Sequence, residues 1–166
     1  MRRRNIGFPK LLECERVLAS LSRVLGIGCE FNRFMSVVGI GVDLVECARI
    51  RRSIDRFGDR FLHRVFTDGE IEYSMSMKFP ERHLAARFAG KEAVAKAFGT
   101  GIGKAMGWRN IDIRKKQSGE PFLVFSGPAQ ELAAKRGVTF TLITLSHTDQ
   151  HAMAFVVLES TGSQPE

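Results

Sequence analysis

From residue 37 onward, apolar and polar positions alternate in runs that predict both strands and helices. The apolar run Val37 to Val42, carrying Gly39 and Gly41, has the length and β-branched content of a buried strand, and Asp43 closes it. A helix follows over Glu46 to Phe57, where Ile50, Ile54 and Phe57 recur at helical spacing and Arg49, Arg51, Arg52 and Arg56 take up the rest of the surface. Thr67 with Glu70 three residues later is a capping-box signature, predicting a second helix to about Met77. The strongest helical segment runs from Glu81 to Phe98, dense in alanine, lysine and glutamate, and stops at Gly99.

The remainder predicts strands near Asn110 to Lys115 and Pro121 to Phe125, joined by a Ser118-Gly119 turn. A short helix from Pro128 to Arg136 and two closing strands, Thr139 to Leu145 and Ala152 to Leu158, complete the pattern. Helices and strands do not alternate regularly. The expected class is therefore α+β, a single compact domain with a small, mostly antiparallel sheet and one long central helix.

Residues 1–34 read differently. Leu11, Cys14, Leu18, Leu21 and Leu25 sit at helical spacing behind Arg2, Arg3 and Arg4, but Glu13 and Glu15 interrupt any signal-peptide pattern. The reading is an N-terminal extension of unknown role, with Met35 as an alternative start, then a domain over 35–160 and a flexible polar tail over 161–166. Apolar runs are too short for a membrane span. Cys14, Cys29 and Cys47 form neither a zinc pattern nor a disulfide framework, which suits free thiols in a reducing cytoplasm.

Composition changes the picture through charge. With 25 Lys+Arg against 18 Asp+Glu, a net charge of +7 points to a polyanionic partner. Without aromatic residues interleaved among the basic ones, base stacking has no platform, so nucleic acid is not the expected partner.

Three segments carry chemistry. In Gly39-Ile40-Gly41-Val42-Asp43-Leu44-Val45-Glu46 an acid follows an apolar strand; taken alone, Asp43 reads first as a helix N-cap and second as a ligand for a hard cation. In the block from Arg87 to Gly101, Arg87 shares a helix face with Lys91 and Glu92 shares one with Lys96, and the helix runs into Gly99-Thr100-Gly101, whose amides and hydroxyl suit a phosphate. Ser146-His147-Thr148-Asp149 ends a strand in polar side chains, but without a Gly-x-Ser-x-Gly elbow it does not make a hydrolase triad.

The order and wording of these three segments, with Arg-Phe-Ala-Gly-Lys-Glu-Ala-Val-Ala-Lys-Ala-Phe-Gly-Thr-Gly-Ile-Gly the most specific, resemble the holo-acyl-carrier-protein synthases over about residues 37–158. The resemblance implies transfer of 4'-phosphopantetheine from coenzyme A to a serine of an acyl carrier protein in fatty acid biosynthesis. It implies Mg²⁺ held by Asp43 and Glu92, with Lys96 assisting at the phosphate. Arg87, Lys91, Gly99, Thr100 and His147 become coenzyme A contacts, and Arg49, Ile50, Arg52 and Arg56 a docking surface for the acidic carrier. A water held by Asp43 and the cation is the first candidate for taking the serine proton, ahead of Lys96 and His147. The resemblance further implies a cytoplasmic homotrimer with active sites between subunits.

Overall fold

The computed structural model describes residues 34–162. The expected leader helix, Cys14, Cys29 and residues 163–166 lie outside them.

The chain runs β1 (Phe34–Glu46), α1 (Cys47–Phe57), α2 (Asp59–Val65), α3 (Asp68–Met75), α4 (Pro80–Ala97), a 3₁₀ turn (Trp108–Asn110), β2 (Ile111–Lys115), β3 (Pro121–Phe125), α5 (Pro128–Lys135), β4 (Phe140–His147) and β5 (His151–Gly162). Strands β1, β5 and β4 form an antiparallel sheet in that order, and β2 and β3 form a separate antiparallel hairpin. The α+β class and the long central helix are as expected. α2 is additional. Gly58, at φ +52°, breaks the path between α1 and α2, and Leu62 and Val65 then bury one face of a helix only seven residues long.

β1 is longer than its apolar run. It pairs with β5 from Phe34↔Gly162 to Glu46↔His151, with one register shift between Val37 and Gly39. Asp43 therefore lies within the strand, opposite Ala154, and the residue preceding α1 is Glu46, so the capping reading of Asp43 is overturned. The same pairing carries β5 two residues into the expected flexible tail, where the Thr161 amide also donates to Thr139 Oγ1 at 2.9 Å.

α4 is the core. Eleven of its eighteen residues are buried, among them Leu84, Phe88, Ala89, Ala93 and Val94, and one face packs on the sheet. The two glycines of β1 are what let it come so close: a Cβ at Gly41 would overlap the Ala93 carbonyl and one at Gly39 the Ala97 carbonyl. Those are backbone atoms of α4, which cannot swing aside as a side chain can. Gly41→Ala is expected to cost about 1–3 kcal/mol through overpacking and to move Asp43 away from α4; a thermal melt and a transfer assay check both, and an unperturbed melt would show that the strand shifts freely.

On its other face the sheet is exposed and apolar. Its register sets Val157 between Ile40 and Leu142, Val42 beside Phe155, and Leu44 beside Met153. Ile40 is 59% exposed and Leu44 63%.

Candidate active site

The close approach of β1 to α4 builds the first half of the site. Glu92 and Lys96 are one turn apart on α4, and Asp43 projects from β1 beside them. Lys96 Nζ donates to Asp43 Oδ1 at 2.7 Å and to the Val42 carbonyl at 3.1 Å. Burial, and then the negative charge of Asp43, push the Glu92 carboxyl above its usual range, against the pull of Lys96 and Arg49. Two carboxylates held this close repel one another, and a cation between them would relieve that repulsion. No cluster of three or more His, Cys, Asp or Glu exists among the described residues, so the donor set is two acids. Two carboxylates with open positions for phosphate and water fit magnesium, and fall short of the three or four protein ligands usual for zinc.

The second half is a cavity of about 200 Å³ walled by Tyr73, His83, Arg87, Arg114, Lys115 and His147. Arg87 is 5% exposed. Its guanidinium lies 4.2 Å from the centre of the Tyr73 ring and donates to the His83 carbonyl at 3.3 Å, while its buried Nε has no partner. The His83 ring meets His147 edge-on at 5.0 Å. Burial, then the neighbouring His147, Arg87, Lys115 and Arg82, hold His83 below its ordinary pKa. Arg114 is neutralised by Asp112 at 2.7 Å. What remains is a pocket short of negative charge, suited to an anion carried on a larger molecule.

The two halves lie on different faces of α4. Arg87 and Glu92 are five residues apart, which is roughly 140° around the helix, and the cavity is lined by none of Asp43, Glu92 or Lys96.

The expected residues thus separate into groups. Asp43, Glu92 and Lys96 come together as expected, and Arg87 and His147 share the cavity. Lys91 does not join them: its ammonium is fully buried and donates to Glu70 Oε2 at 2.8 Å and to the Trp108 and Ile111 carbonyls at 2.8 and 2.5 Å. With all three donors used, it has none left for a phosphate. Gly99 and Thr100 close the C-terminus of α4, where their amides donate to the Lys96 and Ala95 carbonyls at 2.9 and 3.1 Å. Those two amides serve the helix end, and the exposed Thr100 hydroxyl donates to the Gly101 carbonyl at 3.1 Å. On α1, Ile50 is 1% exposed and belongs to the core, whereas Arg49, Arg52 and Arg56 are exposed. Arg49 reaches toward the acids, with its guanidinium 5.7 Å from the centre of the Phe88 ring.

Tyr73, His83, Arg114 and Lys115 are additional. His83 could have been found one turn before Arg87, on the same face. The others come from a short helix and a hairpin whose meeting no local pattern announces.

The sequence model of the 4'-phosphopantetheinyl transferase superfamily matches residues 39–156. A holo-[acyl-carrier-protein] synthase of Koribacter versatilis (strain Ellin345) is 43% identical over 123 residues, covering 74% of this chain and 98% of its own. Among solved structures, the holo-[acyl-carrier-protein] synthase of Neisseria meningitidis superposes with a TM-score of 0.71 at 35% identity, over 75% of this chain and 100% of that one. The holo-(acyl-carrier-protein) synthase of Bacillus anthracis str. Ames, in complex with CoA (3',5'-ADP), gives 0.63 at 35% identity, over 76% and 99%. The matched segment holds the two acids, Lys96 and the cavity arginine in one continuous domain, and the chain belongs to the 4'-phosphopantetheinyl transferase superfamily.

Proposed function

We propose that this chain is a holo-acyl-carrier-protein synthase, transferring the 4'-phosphopantetheine group of coenzyme A to a serine of an apo acyl carrier protein of fatty acid synthesis. The observation that carries the reading is the Asp43–Lys96–Glu92 cluster, two acids and a base on rigid elements, in a segment that matches the transferase family. The carrier serine gives up its proton to a water beside Asp43 as its oxygen forms a bond to the phosphorus next to pantetheine. The bond from that phosphorus to the bridging oxygen breaks, and adenosine 3',5'-bisphosphate leaves.

Magnesium held by Asp43 and Glu92 would supply positive charge to the diphosphate. Lys96, fixed by Asp43 and the Val42 carbonyl, adds a second positive charge at that point. In both contacts Lys96 donates, which suits it to stabilising charge more than to accepting the serine proton. His147 stands in the cavity beside His83, a better place to meet an anionic part of coenzyme A than to meet the serine. Arg87, with its unpartnered Nε, is the main anion contact there.

The reading includes a homotrimer. The exposed apolar face of Ile40, Val42, Leu44, Leu142, Met153 and Phe155 is large for a free surface and is suited to covering by a second copy. Because acids and cavity lie on different faces of α4, one copy's acids and another copy's cavity together would make a complete site. The reading places the enzyme in the cytoplasm; no helix among the described residues is long and apolar enough to cross a membrane, and the Cys47 thiol is free.

Mass spectrometry tests the activity: apo carrier protein incubated with this chain, coenzyme A and Mg²⁺ gains the mass of phosphopantetheine, and an unmodified carrier would overturn the reading. Arg49, Arg52 and Arg56 form the basic surface of α1 for the acidic carrier. Arg49→Glu is expected to raise the carrier KM about tenfold at low salt and to lessen its salt dependence. As Arg49 also draws the Glu92 carboxyl downward, the reversed charge should move the acid limb of the pH–rate profile to higher pH. An unchanged carrier KM at low ionic strength would place the docking surface elsewhere.

A further inference from the structure

The Glu70–Lys91 pair is buried at the meeting point of α3, α4 and β2, lines neither half of the site, and neither side chain has any exposed surface. Lys91 spends its three donors on Glu70, the Trp108 carbonyl and the Ile111 carbonyl. Glu70 Oε2 accepts from Lys91 and, at 2.8 Å, from the Thr67 amide; Oε1 accepts from the Ile113 amide at 3.0 Å. Apart from the Thr67 cap on Glu70's own helix, these bonds join α3, α4 and the segment from Trp108 into β2. None is made with solvent.

The three elements α3, α4 and β2 joined by this pair also each supply a wall of the anion cavity, within one turn or two residues of the tie. On α3, Tyr73 follows Glu70 by three residues. On α4, Arg87 precedes Lys91 by one turn on the same face. On β2, Arg114 and Lys115 come directly after Ile113. The walls also touch each other, through Arg87 on the Tyr73 ring and through Lys115 Nζ, 3.3 Å from the Tyr73 hydroxyl. A buried ion pair is seldom retained for stability, since an apolar pair of similar volume often does as well. What it has over an apolar pair is direction: three bonds to backbone groups, with the ion pair itself, set where α3 and the β2–β3 hairpin sit relative to α4.

We propose that Glu70 and Lys91 are positioning residues for the anion cavity, fixing the distances among Tyr73, Arg87, Arg114 and Lys115 and hence the affinity for the anionic end of coenzyme A. This rests on the function proposed above. It replaces a direct phosphate contact for Lys91 with an indirect role.

The test uses the full chain and adenosine 3',5'-bisphosphate as the calorimetric probe. Wild type must bind it first; absence of wild-type binding would count against the coenzyme A reading itself, and is thereby distinguishable from a failure of the positioning role. The double variant Glu70→Leu with Lys91→Met removes both charges together, so no unpaired charge is left inside. It also leaves the Thr67 and Ile113 amides and the Trp108 and Ile111 carbonyls without those partners, so it is expected to melt lower than wild type; well below that melt, the dissociation constant for the probe is expected to rise about tenfold or more, with a matching rise in the coenzyme A KM and a smaller change in kcat. A purely structural role predicts the lowered melt alone, with an unchanged dissociation constant well below it. Should the double variant not fold, Glu70→Asp decides, because it keeps the charge and shortens its reach by one methylene. A folded Glu70→Asp protein binding the probe as tightly as wild type overturns the proposal, and one binding it about fivefold or more weaker supports it.

Discussion

Asp43→Ala and Glu92→Ala are each expected to lower transfer by about a thousandfold or more at saturating coenzyme A and magnesium, several kcal/mol of lost charge stabilisation. With two protein carboxylates available for the cation, losing one halves the set, and excess magnesium cannot rebuild it. Asp43→Ala should be the more damaging of the two, because it also removes the acceptor that fixes Lys96 at 2.7 Å. Chelation with EDTA should reproduce the loss in wild type and add nothing to either variant. A well-folded variant with near wild-type turnover would dismiss the metal site.

The same pair makes a second, opposite expectation for stability. A carboxyl whose folded pKa is raised contributes stability that is fully present below its unfolded value, 4.5 for Glu92, and that is lost as pH rises through the folded value. Near neutral pH the charged Glu92 therefore costs stability in the absence of a cation. Glu92→Gln should melt higher than metal-free wild type at pH 7 and lose that advantage as pH falls toward 4.5. Magnesium should raise the wild-type melting temperature and leave that of Glu92→Gln almost unmoved. A lower metal-free melt for Glu92→Gln would mean that the acid is held by favourable contacts instead.

Phe155→Asp is expected to have the other large effect. Phe155 lies at the middle of β5, opposite Val42 on one side and Thr144 on the other, and the residue is 39% exposed. In a free subunit the aspartate would be solvated, so the fold and its secondary structure should be kept. In an assembly that covers this face the same charge would be buried without a partner, which costs several kcal/mol per site. The expected result is a folded monomer by light scattering in place of the proposed trimer, with transfer reduced about a hundredfold or more because in that assembly the acids and the cavity would no longer meet. A monomeric variant with full activity would show that one copy holds a complete site, and a trimeric variant would place the interface on another surface.

Local pattern carried a good deal of this. The capping box at Thr67 is made in full, with Glu70 accepting from the Thr67 amide and Thr67 accepting from the Glu70 amide, because a cap depends on residues three apart and nothing distant. The extent of α4 follows from the alanine-rich run between Pro80 and Gly99, and the facing of Glu92 with Lys96 follows from its turn of 3.6 residues. Gly39 and Gly41 read only as part of a buried strand, with nothing local to say that they admit the α4 backbone, and the assignment of Asp43, Glu92 and Lys96 to one place came from family wording instead of from spacing alone.

Lys91 shows where that kind of reading ends. In sequence it is a lysine one residue from an acid and one turn from an arginine, indistinguishable from a phosphate contact; only the packing of α3 and β2 over α4 puts it inside, against a glutamate twenty-one residues earlier. Ile50 is the same case on α1, where helical periodicity gives an apolar stripe but not what lies beneath it. Tyr73 and Lys115 meet in the cavity across a separation of 42 residues, and the apolar outer face of the sheet emerges only once β1, β5 and β4 are in register. Helix and strand periods act over a few residues and so were written plainly in the chain. Which faces are covered, which charges are buried and which distant side chains share a cavity depend on contacts between segments far apart along it, and those the folded domain alone decided.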